Sequence, residues 1–353
     1  MRIGPFVSVS IVAVAFACSS DPPSADPAID APNGGASDAS APEREADAAA
    51  RPDAAAESGD AGGELADPAL AGPFAVEESE TTVNVASTGD EVPVRLALPK
   101  GTTKVPLLVF APGFRIEASQ YLGYVRHAAS HGYASMVVAV PTSLLGNDNT
   151  RQANDMIGAA DWAGSAANLG GRVDASRVVF AGHSLGGKLA LLAGSLAPAR
   201  TKAIVALDPV DSGGPSGCSA PCVVVKEKMS TLNVPALFVG ETTDAEGTFN
   251  ACAPAADNYV AFFSRAKAPS VEVTALGANH MSFVDDVAAC GLTCSLCKPA
   301  TAAAGSVAAM SRAFLVAFAQ RHVGGMAAAD AYLTGAVAQS RYVATGAATI
   351  RSK

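Results

Sequence analysis

The pentapeptide Gly182-His183-Ser184-Leu185-Gly186 has the G-x-S-x-G spacing that holds a serine on a sharp turn between a strand and a helix. The apolar run Val178-Val179-Phe180-Ala181 precedes it as a predicted strand, and an apolar helical stretch follows it directly. Glycine is required on either side of the serine, because a Cβ there would meet the neighbouring strand and helix. Such a turn holds Ser184 Oγ out at the carboxyl edge of a sheet, where an acyl carbonyl can reach it. A serine hydroxyl is a weak nucleophile until a base takes its proton, so the same chain must supply a base and a group to orient it.

Five histidines are available. His127 and His131 fall on the first predicted helix and at its end, before the turn; His322 falls in the terminal helix; His183 adjoins the serine but points away from its Oγ. His280 follows the last predicted central strand by a short loop, and the chain order Ser…Asp/Glu…His makes it the candidate base. The orienting acid must accept the imidazole Nδ1 proton from the carboxyl end of a neighbouring strand. Asp208 ends the strand Ala203 to Leu207, while Glu241 and Asp244 follow the strand Ala236 to Gly240, and the pattern alone leaves all three open. Two backbone N–H groups must also face the carbonyl oxygen as it gains charge. Leu185 supplies one at the start of the helix, and Phe114 supplies the other from Ala111-Pro112-Gly113-Phe114, where Gly113 permits a close approach.

Groups so far apart in the chain meet only if a sheet gathers them. Two antiparallel strands are predicted over Thr81 to Ser87 and Glu91 to Leu98. The continuous apolar run Val105 to Ala111 then reads as a strand buried on both faces. Helical and strand patterns alternate from there: helices from about Glu117 to Ser130, Arg151 to Asn168, after Ser184, and Ala255 to Ala266, with strands at Ala134 to Val140, Arg177 to Ala181, Lys202 to Leu207, Ala236 to Val239 and Val271 to Leu276. A final helix, Val307 to His322, packs on the sheet. Alternation of this kind specifies the α/β class, a mostly parallel sheet with helices on both faces, in the order of the α/β-hydrolase fold. The folded domain is predicted over residues 73–323, and the alanine-rich residues 324–353 as a peripheral helix or tail.

The chain begins as an exported protein would. Arg2 precedes an apolar stretch from Phe6 to Ala17 that is too short to span a bilayer, so residues 1–17 are predicted to be a signal peptide. Ala15-Phe16-Ala17 before Cys18 resembles a lipobox, which predicts lipidation of Cys18 and attachment to the bacterial cell envelope; cleavage by ordinary signal peptidase would leave a periplasmic or secreted protein. Residues 18–72, rich in Ala, Pro and Asp, carry too little apolar surface to offset their ordering entropy and are predicted to be a disordered acidic tether. The formal net charge of −9 disfavours nucleic acid as a partner. Six of the seven cysteines remain after Cys18: Cys218, Cys222, Cys252, Cys290, Cys294 and Cys297. In an oxidising compartment they can form up to three bridges, expected to join the loops around Cys218 to Cys222 and Cys290 to Cys297. No histidine follows the last three at zinc-finger spacing, so no metal is predicted.

Several segments, in order, resemble the chlorophyllase family of esterases: ASHGY at Ala129 to Tyr133, GHSLGGK at Gly182 to Lys188, LDPVD at Leu207 to Asp211, NHMSFVDD at Asn279 to Asp286 and CSLCK at Cys294 to Lys298. The resemblance implies a Ser184-Asp208-His280 triad, an acyl-enzyme mechanism on carboxylic esters and no cofactor. The chain departs from the family at Pro112, where histidine is usual, at Leu185, where arginine is usual, and at Ser282, where aspartate is usual. Pro112-Gly113-Phe114 is instead similar to the oxyanion loop of bacterial cutinases and polyester hydrolases. The substrate expected is a small-molecule or lipid-like ester, with a cutinase, lipase or polyester-hydrolase type as the alternative. A surface lipoprotein that uses the hydrolase shape only for binding is the alternative of another class.

Overall fold

The computed structural model describes residues 65–353 except residues 145, 213–217 and 248–250. The predicted signal peptide 1–17, Cys18 and the predicted tether up to residue 64 lie outside the described residues. Among the described residues one sheet has nine strands: β1 Val76–Val85, β2 Asp90–Pro99, β3 Val105–Ala111, β4 Ala134–Val138, β5 Val173–His183, β6 Thr201–Leu207, β7 Ala236–Glu241, β8 Ser270–Ala275 and β9 Ala348–Ser352. Their order across the sheet is β1-β2-β4-β3-β5-β6-β7-β8-β9. Antiparallel pairing joins β1 to β2 and β2 to β4, and β4 through β8 are parallel. This is the α/β-hydrolase fold.

The helices are α1 Leu122–Ser130, α2 Asn149–Gly164, α3 Ala166–Leu169, α4 Leu185–Leu196, α5 Tyr259–Arg265, α6 Ser306–His322, α7 Asp330–Leu333 and α8 Ala336–Ala338. The continuous apolar strands make sense against them, because each central strand feeds two cores. Leu108 and Phe110 of β3, with Val179 and Ala181 of β5, pack under α1 and α6 beside Tyr124, Val125, Phe314 and Phe318. Leu107 and Val109 of β3, with Val178 and Phe180 of β5, face the other side with Met156 of α2 and Leu189 to Ala193 of α4.

The element bounds differ from expectation where charge masks the pattern. β1 starts at Val76 rather than Thr81, because its first half is an exposed ladder in which Glu80 pairs with Arg95 of β2 at 2.6 Å. The helix expected to run to Asn168 ends at Gly164; Ser165 is extended, and the short α3 closes on Gly170 in the left-handed region.

Both predicted ends of the domain are corrected. The C-terminal residues are not a peripheral helix or tail: after the short α7 and α8, β9 pairs antiparallel with β8, with Val273 opposite Ile350. Arg351 grips Glu272 of β8 through two contacts of 2.7 Å. Residues 65–72 belong to the folded domain rather than to the tether. Asp67 takes two hydrogen bonds from Arg341, at 2.8 and 2.6 Å, and Gly72 N–H donates to Ser130 Oγ at 2.9 Å. His127 and His131, excluded as bases by chain order, bind the carbonyls of Pro68 and Leu70. Composition misleads here because the groups that order this segment come from elsewhere in the chain.

Candidate active site

Ser184 sits between β5 and α4 with φ 56° and ψ −120°, a conformation that L-residues rarely adopt. The flanking glycines are required by contact. A Cβ on Gly182 would lie 2.4 Å from the Gly186 carbonyl, and one on Gly186 would lie 2.0 Å from the Ala111 oxygen. The strained turn is held from both sides: Ser184 N–H donates to Leu207 O at 2.9 Å, and Lys188 N–H donates to Ser184 O at 3.1 Å.

His280 begins a short 3-10 turn, His280–Phe283, after β8, and brings its Nε2 to 2.8 Å from Ser184 Oγ. Its Nδ1 lies 2.6 Å from Asp208 Oδ2. Asp208 is buried, and that burial pushes its carboxyl up against the opposing pull of the His280 hydrogen bond. With the proton on Nδ1 facing the carboxylate, Nε2 is left to accept from the serine hydroxyl. Ser282 closes the turn that carries the base: its hydroxyl donates to Asn279 Oδ1 at 2.8 Å and accepts Asn279 N–H at 3.1 Å.

The other two candidate acids are close by, but neither touches the imidazole. Asp244 Oδ2 accepts the backbone N–H of His280 at 2.8 Å, and its Oδ1 accepts Lys298 N–H at 2.9 Å. Glu241 in turn accepts Asp244 N–H, at 3.0 Å to Oε1 and 2.9 Å to Oε2, and also Thr243 N–H. Burial, and then the charge of Asp208, push the Glu241 carboxyl up to about 7. Of the three carboxylates left open by strand pattern, Asp208 is the one brought to the ring.

Leu185 opens α4, and Phe114 follows β3 in a half-buried loop. Among the described residues neither N–H is committed to an acceptor, so both are free to face an oxyanion. Sequence reasoning passed over the residues that brace these groups. His183 is buried between Tyr121 Oη, at 2.7 Å, and the His280 carbonyl, at 2.9 Å. Lys188, also buried, donates to Asp211 O at 2.8 Å and lies 3.4 Å from its carboxylate. No spacing rule marks Tyr121, whose partner His183 lies far away in the chain, and the strand-end position that made Asp244 a candidate acid does not foretell its contact with the His280 backbone.

All six remaining cysteines pair, as Cys218–Cys222, Cys252–Cys297 and Cys290–Cys294. None of the bridges joins the 218–222 loop to the 290–297 loop, which corrects the expected connection. Cys252–Cys297 instead ties the β7–α5 connection to the segment just before Lys298, whose N–H holds Asp244.

The chain matches the family described as Chlorophyllase over residues 70–340. It belongs to the chlorophyllase family. Among curated proteins it is similar to Chlorophyllase-1, chloroplastic, of Citrus sinensis, 28% identical over 200 residues, or 55% of this chain and 60% of that protein. It is likewise similar to Chlorophyllase-1, chloroplastic, of Citrus unshiu, 29% identical over 193 residues, or 53% of this chain and 57% of that protein. The chain thus spans about 60% or less of the length of these curated relatives. At the level of the family the chemistry is that of a carboxylic-ester hydrolase, and the family's fold is the α/β-hydrolase fold found here.

Proposed function

We propose that this member of the chlorophyllase family is a serine-dependent carboxylic-ester hydrolase. The observation that carries the reading is the buried line from Ser184 Oγ through the His280 ring to Asp208, with contacts of 2.8 and 2.6 Å. Ser184 Oγ attacks the ester carbonyl while His280 Nε2 takes its proton, and the oxyanion that forms faces the N–H groups of Leu185 and Phe114. The C–O bond then breaks, and His280 returns the proton to the departing alkoxide. A water, deprotonated by His280, releases the acid from the acyl-serine. Asp208 stays ionised and stabilises the imidazolium formed in each half.

The substrate class we propose is a lipid-like or small ester. Leu185 and Pro112 stand where most of the family has arginine and histidine, so the groups beside the nucleophile differ from those of chlorophyll-cleaving relatives. Pro112-Gly113-Phe114 favours a second reading within the same chemistry, a cutinase-like or polyester hydrolase. We further propose export, with lipid attachment at Cys18; the three disulfides support an oxidising compartment for the folded domain.

The test is a panel of p-nitrophenyl esters, polyester film and chlorophyll, run on the parental protein and on Ser184→Ala. Loss of at least about three orders of magnitude in turnover by a folded variant is expected, with organophosphonate labelling confined to Ser184. Near-parental turnover by a folded Ser184→Ala would defeat the serine mechanism, whereas no turnover of any panel member by the parental protein would make a purely binding role the better account.

A further inference from the structure

His280 is held at three separate atoms by residues from three strand ends. Asp208 after β6 takes its ring Nδ1, and Asp244 after β7 takes its backbone N–H. His183, at the end of β5, takes its carbonyl. The third contact continues beyond the base. His183 Nε2 lies 2.9 Å from the His280 oxygen, His183 Nδ1 lies 2.7 Å from Tyr121 Oη, and Gly113 N–H donates to that same Oη at 3.2 Å.

The two ends of this chain fix the direction of every bond in it. A backbone carbonyl only accepts, so His183 Nε2 must carry a proton. The ring is fully buried, which holds it well below the ordinary imidazole range and neutral, so Nδ1 carries none and must accept. Tyr121 therefore donates its hydroxyl proton to His183, and its oxygen lone pair is left for Gly113 N–H, which can only donate. No member can reverse without breaking an end bond. Packing reinforces the geometry: the His183 ring lies 4.7 Å from the His280 ring and 5.6 Å from Phe283. A Cβ on Gly113 would come within 3.1 Å of His183 Nδ1 and 3.2 Å of Tyr121 Oη, so the oxyanion loop sits directly on the chain.

We propose that Tyr121 and His183 are positioning residues that lock the Gly113-Phe114 oxyanion loop and the His280 base into one register. This rests on the esterase reading given above. Neither residue touches the substrate. Gly113 immediately precedes the Phe114 donor, and His280 is the base, so one buried strut sets the distance between the site where charge develops and the site where the proton goes.

The experiment compares Tyr121→Phe, His183→Gln and His183→Phe with the parental enzyme and Ser184→Ala on a p-nitrophenyl ester. Tyr121→Phe keeps the ring and removes only the hydroxyl. It is expected to lower kcat by about 10- to 100-fold with KM within about threefold, and to weaken a trifluoromethyl ketone inhibitor by about the same factor as kcat/KM. His183→Gln, which retains a donor and an acceptor, should recover part of what His183→Phe loses. Tyr121→Phe with kcat and inhibitor affinity within about twofold of parental, in an enzyme that Ser184→Ala inactivates, would overturn the strut alone. Hydrolysis that survives Ser184→Ala would overturn the esterase reading and the strut's purpose together. Should Tyr121→Phe fail to fold, nitrogen-15 NMR of the parental protein still decides: a neutral His183 with its proton on Nε2 is expected, and a proton on Nδ1 would refute the inference.

Discussion

The Asp244 carboxylate lies 2.8 Å from the backbone nitrogen of His280, whereas Asp208 lies 2.6 Å from its ring nitrogen. Two buried acids from adjacent strand ends thus divide the work on one histidine, and their substitutions should separate. Asp208→Asn removes the charge that stabilises the imidazolium and presents the wrong partner to Nδ1, so turnover should fall by up to about four orders of magnitude with the fold intact. Asp244→Asn leaves the ring contact alone but sets an amide NH2 against one of two N–H donors. A lowered Tm and a loss of about tenfold in turnover are expected. Glu241→Gln keeps an acceptor for Thr243 and Asp244 and should stay within about threefold of parental. Steady-state kinetics and thermal unfolding of the three variants check the order, and a dead Asp244→Asn beside an active Asp208→Asn would reverse the assignment.

Why the sequence reveals some of this and not the rest follows from where each signal resides. The elbow is local: two glycines, a strand and a helix within a few residues specify the Ser184 geometry. His280 is legible because it follows the last parallel strand by a short loop, whereas His322, the other histidine beyond that strand, ends the terminal helix. Asp208 is not legible from pattern, since Asp208, Glu241 and Asp244 are all buried at strand ends and only their distances to the ring distinguish them. The resemblance through LDPVD favoured Asp208. β9 escapes notice because its five residues follow an alanine-rich stretch and its partner, β8, lies far upstream. The pairing of Cys252 with Cys297 is likewise fixed by loop proximity in space, not by spacing.

The positive φ of Ser184 sets up a trade between stability and chemistry. At φ 56° and ψ −120° an L-residue is strained by an amount on the order of 1–3 kcal/mol, which glycine relieves. Ser184→Gly and Ser184→Ala should both be inactive, but the glycine variant should unfold at higher denaturant than the alanine variant, by about 1 kcal/mol or more. Urea titrations of the two variants decide it, and equal midpoints would show that the turn carries no such strain.

The three disulfides should contribute unequally. Cys252–Cys297 closes a separation of 45 residues, while Cys218–Cys222 and Cys290–Cys294 each close a separation of 4. Loop-closure entropy alone gives about 4 kcal/mol for the long bridge and about 2 kcal/mol for each short one. The long bridge also fixes the residue before Lys298, whose N–H holds Asp244 and through it the base. Replacing Cys252 and Cys297 by serine should therefore lower both Tm and turnover, whereas replacing Cys290 and Cys294 should lower Tm less and leave turnover nearly unchanged. Equal activity losses from the two double variants would show that the bridge does not support the base.

Asp155 of α2 gives the fold a pH dependence that does not involve the triad. It is fully buried, its Oδ1 accepts the Thr88 hydroxyl at 2.6 Å, and its Oδ2 has no partner among the described residues. Burial, with the nearby Asp90 charge adding to it, pushes this carboxyl up to about 6 from an ordinary value of 3.8. Between those two pH values the folded state therefore binds more protons at this site than the unfolded state does. By linkage the contribution to stability falls as pH rises through that window, the reverse of a salt-bridged carboxylate. Asp67, Asp90 and Asp174, each held low by arginine or hydroxyl hydrogen bonds, work in the opposite direction, so the parental profile alone does not isolate the effect. Asp155→Asn keeps an oxygen for Thr88 and cannot ionise. Its stability relative to the parental protein should rise steadily from about pH 4 to about pH 6 and then level off. Urea unfolding of both proteins at unit steps from pH 4 to pH 8 measures the difference. A flat difference, or one that falls with pH, would mean that Asp155 is ionised in the fold throughout.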